Sequence, residues 1–302
     1  MKKVANIIEV GLRDGLQSHP RTLSSFEKFN IINRLVKANF KQLEIASFVN
    51  PKLVPQLADS KHISSNVTRY TDVVYSALVP NIKGYHEMKM TKNIDEIVLF
   101  VSTSETFNKK NINSNIDEAF KKFEEISKLA HRDGIKIRGS VSCIFDCPYE
   151  GYKNKEETVD IVRRYLDIGV DRIDLADTIG SGTPLRMGIL LNELDKVISI
   201  NRLTGHFHDT FHGKDTEGTA LSLVDVCLNS GMNTFHGSIN GLGGCPFSNK
   251  IVGNLSTEKL IDYLHLRGYS TGIDVHELNK IKINYLDKNN EIKLFGQSGV
   301  GC

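Results

Sequence analysis

The stretch LTGHFHDTFHGKDTEGTAL, residues 203–221, contains the seventh of eight short strand-like runs whose arrangement decides the fold. Side chains two residues apart lie on the same face of a strand, so His206 and His208 point one way and Phe207 points the other. Two imidazoles on one face can bind one divalent cation. The pattern alone also permits a polar pair at the end of a strand.

Strand-like runs recur along the chain with starts about 25 to 40 residues apart, which is the period of a repeated β-loop-α unit. Eight such units close most naturally into a (β/α)8 TIM barrel, and a doubly wound open sheet is the alternative. The eight runs are NIIEVGL, KQLEIASF, DVVYSALV, EIVLFVST, KIRGSVSC, DRIDLADT, LTGHFHDT and MNTFHGSI.

The segments between the runs have helical periodicity. The first of them, SSFEKFNIINRLVKAN, opens with Ser24 and Glu27 at the spacing of a capping box. Apolar residues follow at intervals of three to four, among them Phe26, Phe29 and Ile32. We therefore expect an amphipathic helix, with Leu35 or Val36 as the next residue of the apolar series.

A (β/α)8 barrel carries its active site where the strands end and the βα loops begin. The sequence places LRDG (12–15) after the first run, Glu44 in the second and DLADT (174–178) at the end of the sixth. We therefore predict a catalytic barrel domain over residues 1–240. A C-terminal loop and helical extension over residues 241–302 is expected to cover the barrel mouth and complete the active site.

Composition excludes several classes of protein. The net charge of +2 arises from 38 basic and 36 acidic residues without a continuous basic stripe, which argues against nucleic-acid binding. No apolar run reaches the roughly 18 residues that a membrane-spanning helix needs. An odd number of dispersed cysteines favours a reducing compartment, and we expect a cytoplasmic protein; the cysteines are Cys143, Cys147, Cys227, Cys245 and Cys302.

Asp14 follows the first strand, and the barrel would bring it towards His206 and His208. A carboxylate, two histidines and an oxygen donor suit magnesium, manganese or zinc in an open coordination sphere. Arg13 would place a permanent positive charge beside the ion. Glu44 lies in an otherwise apolar strand and needs a partner there, for which Arg13 is the candidate.

Two loops add candidate residues. Cys245 lies in the glycine-rich segment NGLGGCPFS, where the backbone can approach a ligand closely, although a lone cysteine is more often a small buried residue. After the fourth strand, Lys109, Lys110 and Asn111 lie at the same end of the barrel. They indicate either phosphate or carboxylate binding or a solvated basic loop.

Seven motifs occur along the chain in the order EVGLRDGLQ, LEIASFVNPKLVPQLAD, KKNIN, SCIFDCPYEG, DTIGSGTP, HFHDT and GLGGCPFSNKIVGNLSTEKL. Together they resemble the hydroxymethylglutaryl-CoA lyase family of the DRE-TIM metallolyases, over about residues 4–275. The resemblance implies a (β/α)8 barrel that uses a divalent cation, Mg²⁺ or Mn²⁺, to cleave 3-hydroxy-3-methylglutaryl-CoA into acetyl-CoA and acetoacetate. It also implies a homodimer and a role in leucine degradation and ketone body metabolism.

Matching these motifs residue by residue implies the site. By resemblance the metal ligands are Asp14, His206, His208 and Asn254. Arg13 resembles the arginine that stabilises the enolate, and Cys245 resembles a mobile-loop cysteine that shuttles a proton. The remaining matches are to positions for catalysis or support of the metal site, Glu44, Asp177 and Glu258, and to positions on the substrate side, Gln17, Lys110 and Asn111.

Two departures from the family pattern bear on the acyl group. His19 and Pro20 stand where the family usually has an acidic residue and a lysine, and residues 212–217, HGKDTE, are an addition. The added loop makes Lys214 the first residue to mutate in a test of acyl preference.

Three alternative functions remain open: a lyase for a related thioester such as citramalyl-CoA, a Claisen-condensing synthase, and a silent metal- or CoA-binding protein. The cysteine of GLGGC argues against the synthase, whose relatives have GLGE.

Overall fold

The computed structural model describes residues 3–210, 219–243 and 252–281, and its core is a closed parallel barrel of eight strands. Strand β7 pairs with both β6 and β8, through Gly205 and Phe235 in the second case, so the sheet closes on itself. This closure confirms the predicted TIM barrel and excludes the open sheet. The strands are β1 Asn6–Glu9, β2 Gln42–Ser47, β3 Val74–Leu78, β4 Glu96–Ser102, β5 Lys136–Ser142, β6 Arg172–Asp177, β7 Leu203–Thr210 and β8 Thr234–Gly237.

The crossover segments form helices around the barrel, and each of the eight predicted runs contains a barrel strand. In the described part of the chain, no helix combines the length and apolar character needed to cross a membrane. The helices are α1 Ser25–Lys37, α2 Ser60–Asn66, α3 Ile82–Lys89, α4 Glu105–Ile112, α5 Ile116–Arg132, α6 Lys155–Asp167, α7 Pro184–Leu194, α8 Ala220–Asn229, α9 Thr257–Leu266 and α10 Val275–Ile281.

Helix α1 begins as predicted, and one member of its apolar stripe lies in solvent. The side chain of Ser24 accepts from the backbone N–H of Glu27, and the Glu27 carboxylate accepts from the backbone N–H of Ser24, which completes the capping box. Ile32 is buried and Phe29 packs against the core, whereas Phe26 is 74% exposed. Lys28 is buried on the inner face of the helix.

Lys28 takes this buried position because its charge is paired. Its Nζ lies 2.5 Å from Asp59 Oδ1 and donates to the Gln56 carbonyl oxygen at 2.6 Å. The apolar residues at the matching helical spacing, Ile31, Ile32 and Leu35, pack into the core beside it. The ion pair therefore allows a lysine on the buried face of the helix, while Phe26 lies towards solvent.

The described part of the predicted extension lies partly at the barrel mouth and partly away from it. Val252–Asn254 pairs antiparallel with the end of β7, at the mouth of the barrel. Helix α9 leads away from the mouth, since Tyr269, three residues beyond its last residue, pairs with Lys3 just before β1. Helix α10 packs against α1 on the outside. Only the first of these segments lies over the mouth, and the domain boundary at residue 240 stays a prediction.

Replacement of residues on α1 tests which face is buried. We expect Leu35→Ala to lower the free energy of unfolding by about 2–5 kcal/mol, because it leaves a cavity in the core. Phe26→Ala should change it by less than about 0.5 kcal/mol, because that ring is largely in solvent. Urea denaturation of both variants measures the two values. Equal losses for the two variants would show that the Phe26 ring is buried as the Leu35 side chain is.

Candidate active site

Three predicted ligands meet at the mouth of the barrel. Asp14 lies in Gly11–Gly15, a single π-helical turn directly after β1, and His206 and His208 alternate along β7. One potential ligand atom from each residue lies within 4.8 Å of the others. Among the described His, Cys, Asp and Glu side chains, this is the one group of three or more with such spacing. The three residues therefore lie together at the barrel mouth, as the sequence predicted.

Asn254 completes the cluster through strand pairing. It lies opposite His208 in the antiparallel ladder between β7 and Val252–Asn254. Its Nδ2 donates to Asp14 Oδ2 at 2.5 Å and to the Leu242 carbonyl oxygen at 2.9 Å. These two bonds use both amide hydrogens, so Oδ1 is the atom that Asn254 can offer to a cation.

Hydrogen bonds on the far side of each imidazole orient the two histidines. Nδ1 of His206 lies 2.8 Å from Nδ1 of His236, and Nδ1 of His208 lies 3.1 Å from the Asp177 carbonyl oxygen. In both rings Nε2 is therefore the nitrogen that faces the cluster, and Nε2 of His206 is 3.9 Å from Asp14 Oδ2. Histidines that bind metals are commonly held through their other nitrogen in this way.

The charge states in the cluster suit a divalent cation. Burial lowers the pKa of both His206 and His208, most strongly that of His206, so the rings are neutral at pH 7 and have lone pairs to give. Burial opposes ionisation of Asp14, but Arg13, the two histidines and the Asn254 amide outweigh it and hold its pKa well below the ordinary value. One carboxylate, two neutral imidazoles and an amide oxygen thus fit Mg²⁺, Mn²⁺ or Zn²⁺.

Arg13 adjoins the cluster and pairs with Glu44, as the sequence predicted. Its Nε donates to Glu44 Oε1, and its Nη1 donates to Asp14 Oδ1 at 2.9 Å. The guanidinium is 13% exposed, whereas the Glu44 carboxylate is fully buried. Arg13 therefore holds a fixed positive charge at the edge of the cluster, where it can face a bound ligand.

Beneath this cluster lies a buried arginine that the sequence analysis missed. Arg138, on β5, has no solvent exposure and pairs with carboxylates from three other strands. The distances are 2.7 Å to Glu44 Oε2, 2.9 Å to Glu96 Oε2 and 2.7 Å to Asp174 Oδ2. Burial alone would lower its pKa, but these three carboxylates raise it instead, so Arg138 stays charged.

The charges that pair inside the barrel nearly balance. Three arginines face three carboxylates there, and Arg13 also pairs with a fourth carboxylate, Asp14, at the mouth. Burial would raise the pKa of Glu44, but Arg13 and Arg138 lower it, so this carboxylate stays ionised. The groups are Arg13, Arg138, Arg172, Glu44, Glu96 and Asp174. The signal that identified Glu44, a charge in an apolar run, was also present for Arg138 in KIRGSVSC.

Glu9 is a second residue that the sequence analysis missed, and it fixes the turn that carries Arg13 and Asp14. Its carboxylate accepts from the backbone N–H groups of Gly11 at 2.8 Å and Ile239 at 2.9 Å, and from Thr257 Oγ1 at 2.5 Å. It thus joins the end of β1 to the turn, to the segment after β8 and to α9. Burial raises its pKa from 4.5 to about 8.

Asp177 and Glu258 both hold backbone near the mouth. The Asp177 carboxylate accepts from the N–H groups of Ser181 at 3.1 Å and Gly182 at 2.8 Å, and burial raises its pKa to about 6. Glu258 accepts from the N–H of Asn240 and, at 2.6 Å, from Ser256 Oγ. These contacts are compatible with support of the site, and the predicted roles of both residues stay predictions.

The substrate-side residues lie outside the cluster. Lys110, near the C-terminal end of α4, places its Nζ 3.8 Å from the centre of the Tyr149 ring. Asn111 is half-buried on the same helix, and Gln17 is half-buried just after the turn that carries Asp14. Their roles stay predictions. Cys245, the added loop at 212–217 with Lys214, and Cys302 lie outside the described residues.

The fold and the cluster define a (β/α)8-barrel enzyme with its site at the carboxyl ends of the strands. The family model described as HMGL-like matches residues 4–283. The chain belongs to this HMGL-like family and is a carbon–carbon lyase.

Individual relatives agree with this assignment. The hydroxymethylglutaryl-CoA lyase of Pseudomonas mevalonii is 36% identical over 281 residues, which cover 93% of this chain and 91% of that protein. The mitochondrial lyase of Homo sapiens is 36% identical over 278 residues, which cover 92% and 83%.

Solved structures extend the likeness to three dimensions. The HMG-CoA lyase from Brucella melitensis superposes with a TM-score of 0.87 at 37% identity, covering 93% of this chain and 97% of that one. An HMG-CoA lyase from Acinetobacter baumannii, in complex with coenzyme A and 3-methylmalate, has a TM-score of 0.86 at 30% identity and 98% coverage of both chains.

The raised pKa of Glu9 predicts a pH dependence of stability. A carboxyl whose pKa is raised on folding contributes stability below its unfolded pKa, and that contribution is lost as the pH rises through the folded pKa. The loss should therefore fall between about pH 4.5 and pH 8. We expect the melting temperature to fall less from pH 5 to pH 8 in Glu9→Gln than in the wild type, and Glu124→Gln, on an exposed face of α5, is the control. An identical fall in Glu9→Gln and wild type would contradict the assignment.

Proposed function

We propose that the protein cleaves 3-hydroxy-3-methylglutaryl-CoA to acetyl-CoA and acetoacetate and that it needs Mg²⁺ or Mn²⁺ to do so. The observation that carries the proposal is the convergence of Asp14, His206 and His208 at the barrel mouth with Arg13 beside them. Relatives that cover more than 90% of the chain and are named for this reaction support the choice of substrate.

The reaction breaks one carbon–carbon bond. The substrate's tertiary hydroxyl loses its proton and becomes the ketone of acetoacetate, and the bonding electrons move to the carbon that becomes the methyl group of acetyl-CoA. A bound divalent cation would supply Lewis acidity to this cleavage. Asp14, His206, His208 and the amide oxygen of Asn254 would hold it.

Side chains of the protein would stabilise the charges that develop during the reaction. Arg13 would stabilise the negative oxygen of the departing acetyl-CoA enolate, because Glu44 fixes the guanidinium in a largely buried site. Asp177 has a pKa of about 6, raised by burial, so it can both hold and release a proton near neutral pH. By family resemblance, Cys245 would protonate the enolate carbon.

A related branched 3-hydroxyacyl-CoA, such as citramalyl-CoA, is the second candidate substrate. The His19–Pro20 departure and the added loop at 212–217 are the sequence features that keep this candidate open. The proposed homodimer and the cytoplasmic location stay predictions, since the relatives include both cytoplasmic and mitochondrial lyases.

An activity assay with a ligand variant tests the proposal. We expect purified protein with Mn²⁺ and hydroxymethylglutaryl-CoA to release equal amounts of acetyl-CoA and acetoacetate. His208→Ala should abolish both the cleavage and the binding of Mn²⁺, whereas His86→Ala, on an exposed face of α3, should leave both unchanged. If the protein binds Mn²⁺ and cleaves citramalyl-CoA but not hydroxymethylglutaryl-CoA, the second candidate is the substrate.

Arg13 offers a separate test of transition-state stabilisation. We expect Arg13→Lys to lower kcat by about 10²–10³-fold with a small change in KM, because a lysine keeps the charge but loses the fixed orientation that Glu44 imposes. Arg69→Lys, in an ion pair on the outside of the barrel, is the matched control. A rise in KM at unchanged kcat would instead assign Arg13 to ground-state binding.

A further inference from the structure

The loop that follows β6 is held by two aspartates from different parts of the barrel mouth. The carboxylate of Asp177 accepts from the backbone N–H groups of Ser181, at 3.1 Å, and Gly182, at 2.8 Å. The hydroxyl of Ser181 donates in turn to Asp146 Oδ2 at 2.6 Å. Because Asp146 lies in the segment that follows β5, this bond joins two neighbouring βα connections.

Arg186 strengthens the link between the two connections. It lies in the first turn of α7, and its Nη1 donates to Asp146 Oδ2 at 2.6 Å, while its Nη2 donates to the Phe145 carbonyl oxygen. Its guanidinium carbon lies 5.0 Å from the centre of the Phe145 ring and 4.9 Å from the centre of the Tyr152 ring. A planar guanidinium can stack on rings and donate to two separate acceptors in one fixed geometry.

Close packing leaves the loop little room to move. A Cβ atom at Gly182 would lie 2.5 Å from Cε2 of the Phe145 ring and 2.9 Å from Asp177 Oδ2. The backbone at Gly182 is therefore wedged between the ring and the carboxylate. Since Arg186 stacks on the same ring and bonds the same residue's carbonyl oxygen, it fixes one wall of this wedge.

Asp177 connects the loop to the candidate active site. It is 1% exposed at the end of β6, and its backbone carbonyl oxygen is 3.1 Å from Nδ1 of His208. Among the described residues, its carboxylate accepts hydrogen bonds from Ser181 and Gly182 alone, so the loop sets the orientation of the carboxylate. Orientation matters at such a position, because a displacement of about 1 Å can cost about 100-fold in rate.

We propose that Asp146, Ser181 and Arg186 form a clamp that positions Asp177 for the reaction. All three are positioning residues, because they act on Asp177 through the backbone of residues 178–182. Their role in the reaction rests on the proposed function, which gives Asp177 a part in it. The clamp itself is a property of the two connections and can be measured without a substrate.

Amide hydrogen exchange tests whether the clamp holds the loop. In Asp146→Ala the hydroxyl of Ser181 loses its acceptor, and we expect the backbone N–H groups of Ser181 and Gly182 to exchange at least about 10-fold faster than in the wild type. Asp160→Ala is the matched control, because it also removes a carboxylate that pairs with an arginine, Arg163, on the surface of α6. Exchange in Asp146→Ala at the wild-type rate would overturn the clamp, whatever the substrate of the protein is.

Steady-state kinetics test whether the clamp serves the reaction. With Mn²⁺ and hydroxymethylglutaryl-CoA, we expect Ser181→Ala to lower kcat by about 10-fold, with KM and the affinity for Mn²⁺ nearly unchanged. Ser181→Thr keeps a hydroxyl and should recover most of this loss. The double variant of Asp146→Ala and Ser181→Ala should lose no more than Asp146→Ala alone, because both changes remove the same bond.

The kinetic outcomes separate this inference from the proposed function. Equal kcat values of Ser181→Ala and an active wild type would overturn the positioning role and leave the proposed function standing. Weaker binding of Mn²⁺ in step with the loss of kcat would also overturn it, because the clamp would then act on the cation site. A wild type that cleaves neither hydroxymethylglutaryl-CoA nor citramalyl-CoA would contradict the proposed function and the positioning role together.

Discussion

The buried charge of Arg138 is the constraint on which the rest of the site depends. A fully buried guanidinium is tolerated only if carboxylates surround it, and here they come from β2, β4 and β6. Removal of one partner from such a group costs about 3–5 kcal/mol, because it leaves an uncompensated charge. The charged side chains inside the barrel therefore have one favoured arrangement. The groups at the mouth are positioned by contacts with them.

Two branches lead from Arg138 to the mouth. One passes through Glu44 to Arg13 and so to Asp14, and the other passes through His236 to His206. Each branch fixes one side of the proposed cation site by contacts from behind. The side chains of the site are consequently held in place by other side chains of the barrel, as precise catalysis requires.

The same arrangement sets the charge states before any ligand arrives. The histidines are neutral because burial disfavours their charged form, and Asp14 is ionised because Arg13 and the histidines outweigh its burial. Groups that already have the required charge need little reorganisation during the reaction. Carbon–carbon cleavage, in which negative charge moves from one oxygen to another, benefits from such fixed groups.

Local patterns in the sequence were sufficient to predict the fold. Strand-like runs predicted all eight strands, and the Ser24–Glu27 spacing predicted the start of α1. The burial of Lys28 in α1 was not predicted, because its partner Asp59 is a neighbour only in space. The pairing of Arg13 with Glu44 was predicted because an isolated carboxylate in an apolar strand must find a partner.

Arg138, His236 and Glu9 were not predicted, because their partners lie on other strands or loops and become neighbours only when the barrel closes. Arg138 and His236 nevertheless lie in strand-like runs, where a polar residue needs a partner just as Glu44 does. Applied to every strand, that argument would have identified the interior network. The pairing of its members could not have been read from the sequence, because it depends on the strand register.

Crystals grown with Mn²⁺ offer the most direct test of the central claim, that this network presents a cation site at the barrel mouth. Anomalous scattering locates the ion without assumptions about its ligands. The account predicts a peak bound by Asp14, Nε2 of His206 and Nε2 of His208, with the Arg13–Glu44 and His206–His236 contacts preserved. A peak elsewhere on the protein, with the Asp14 cluster free of metal, would contradict it.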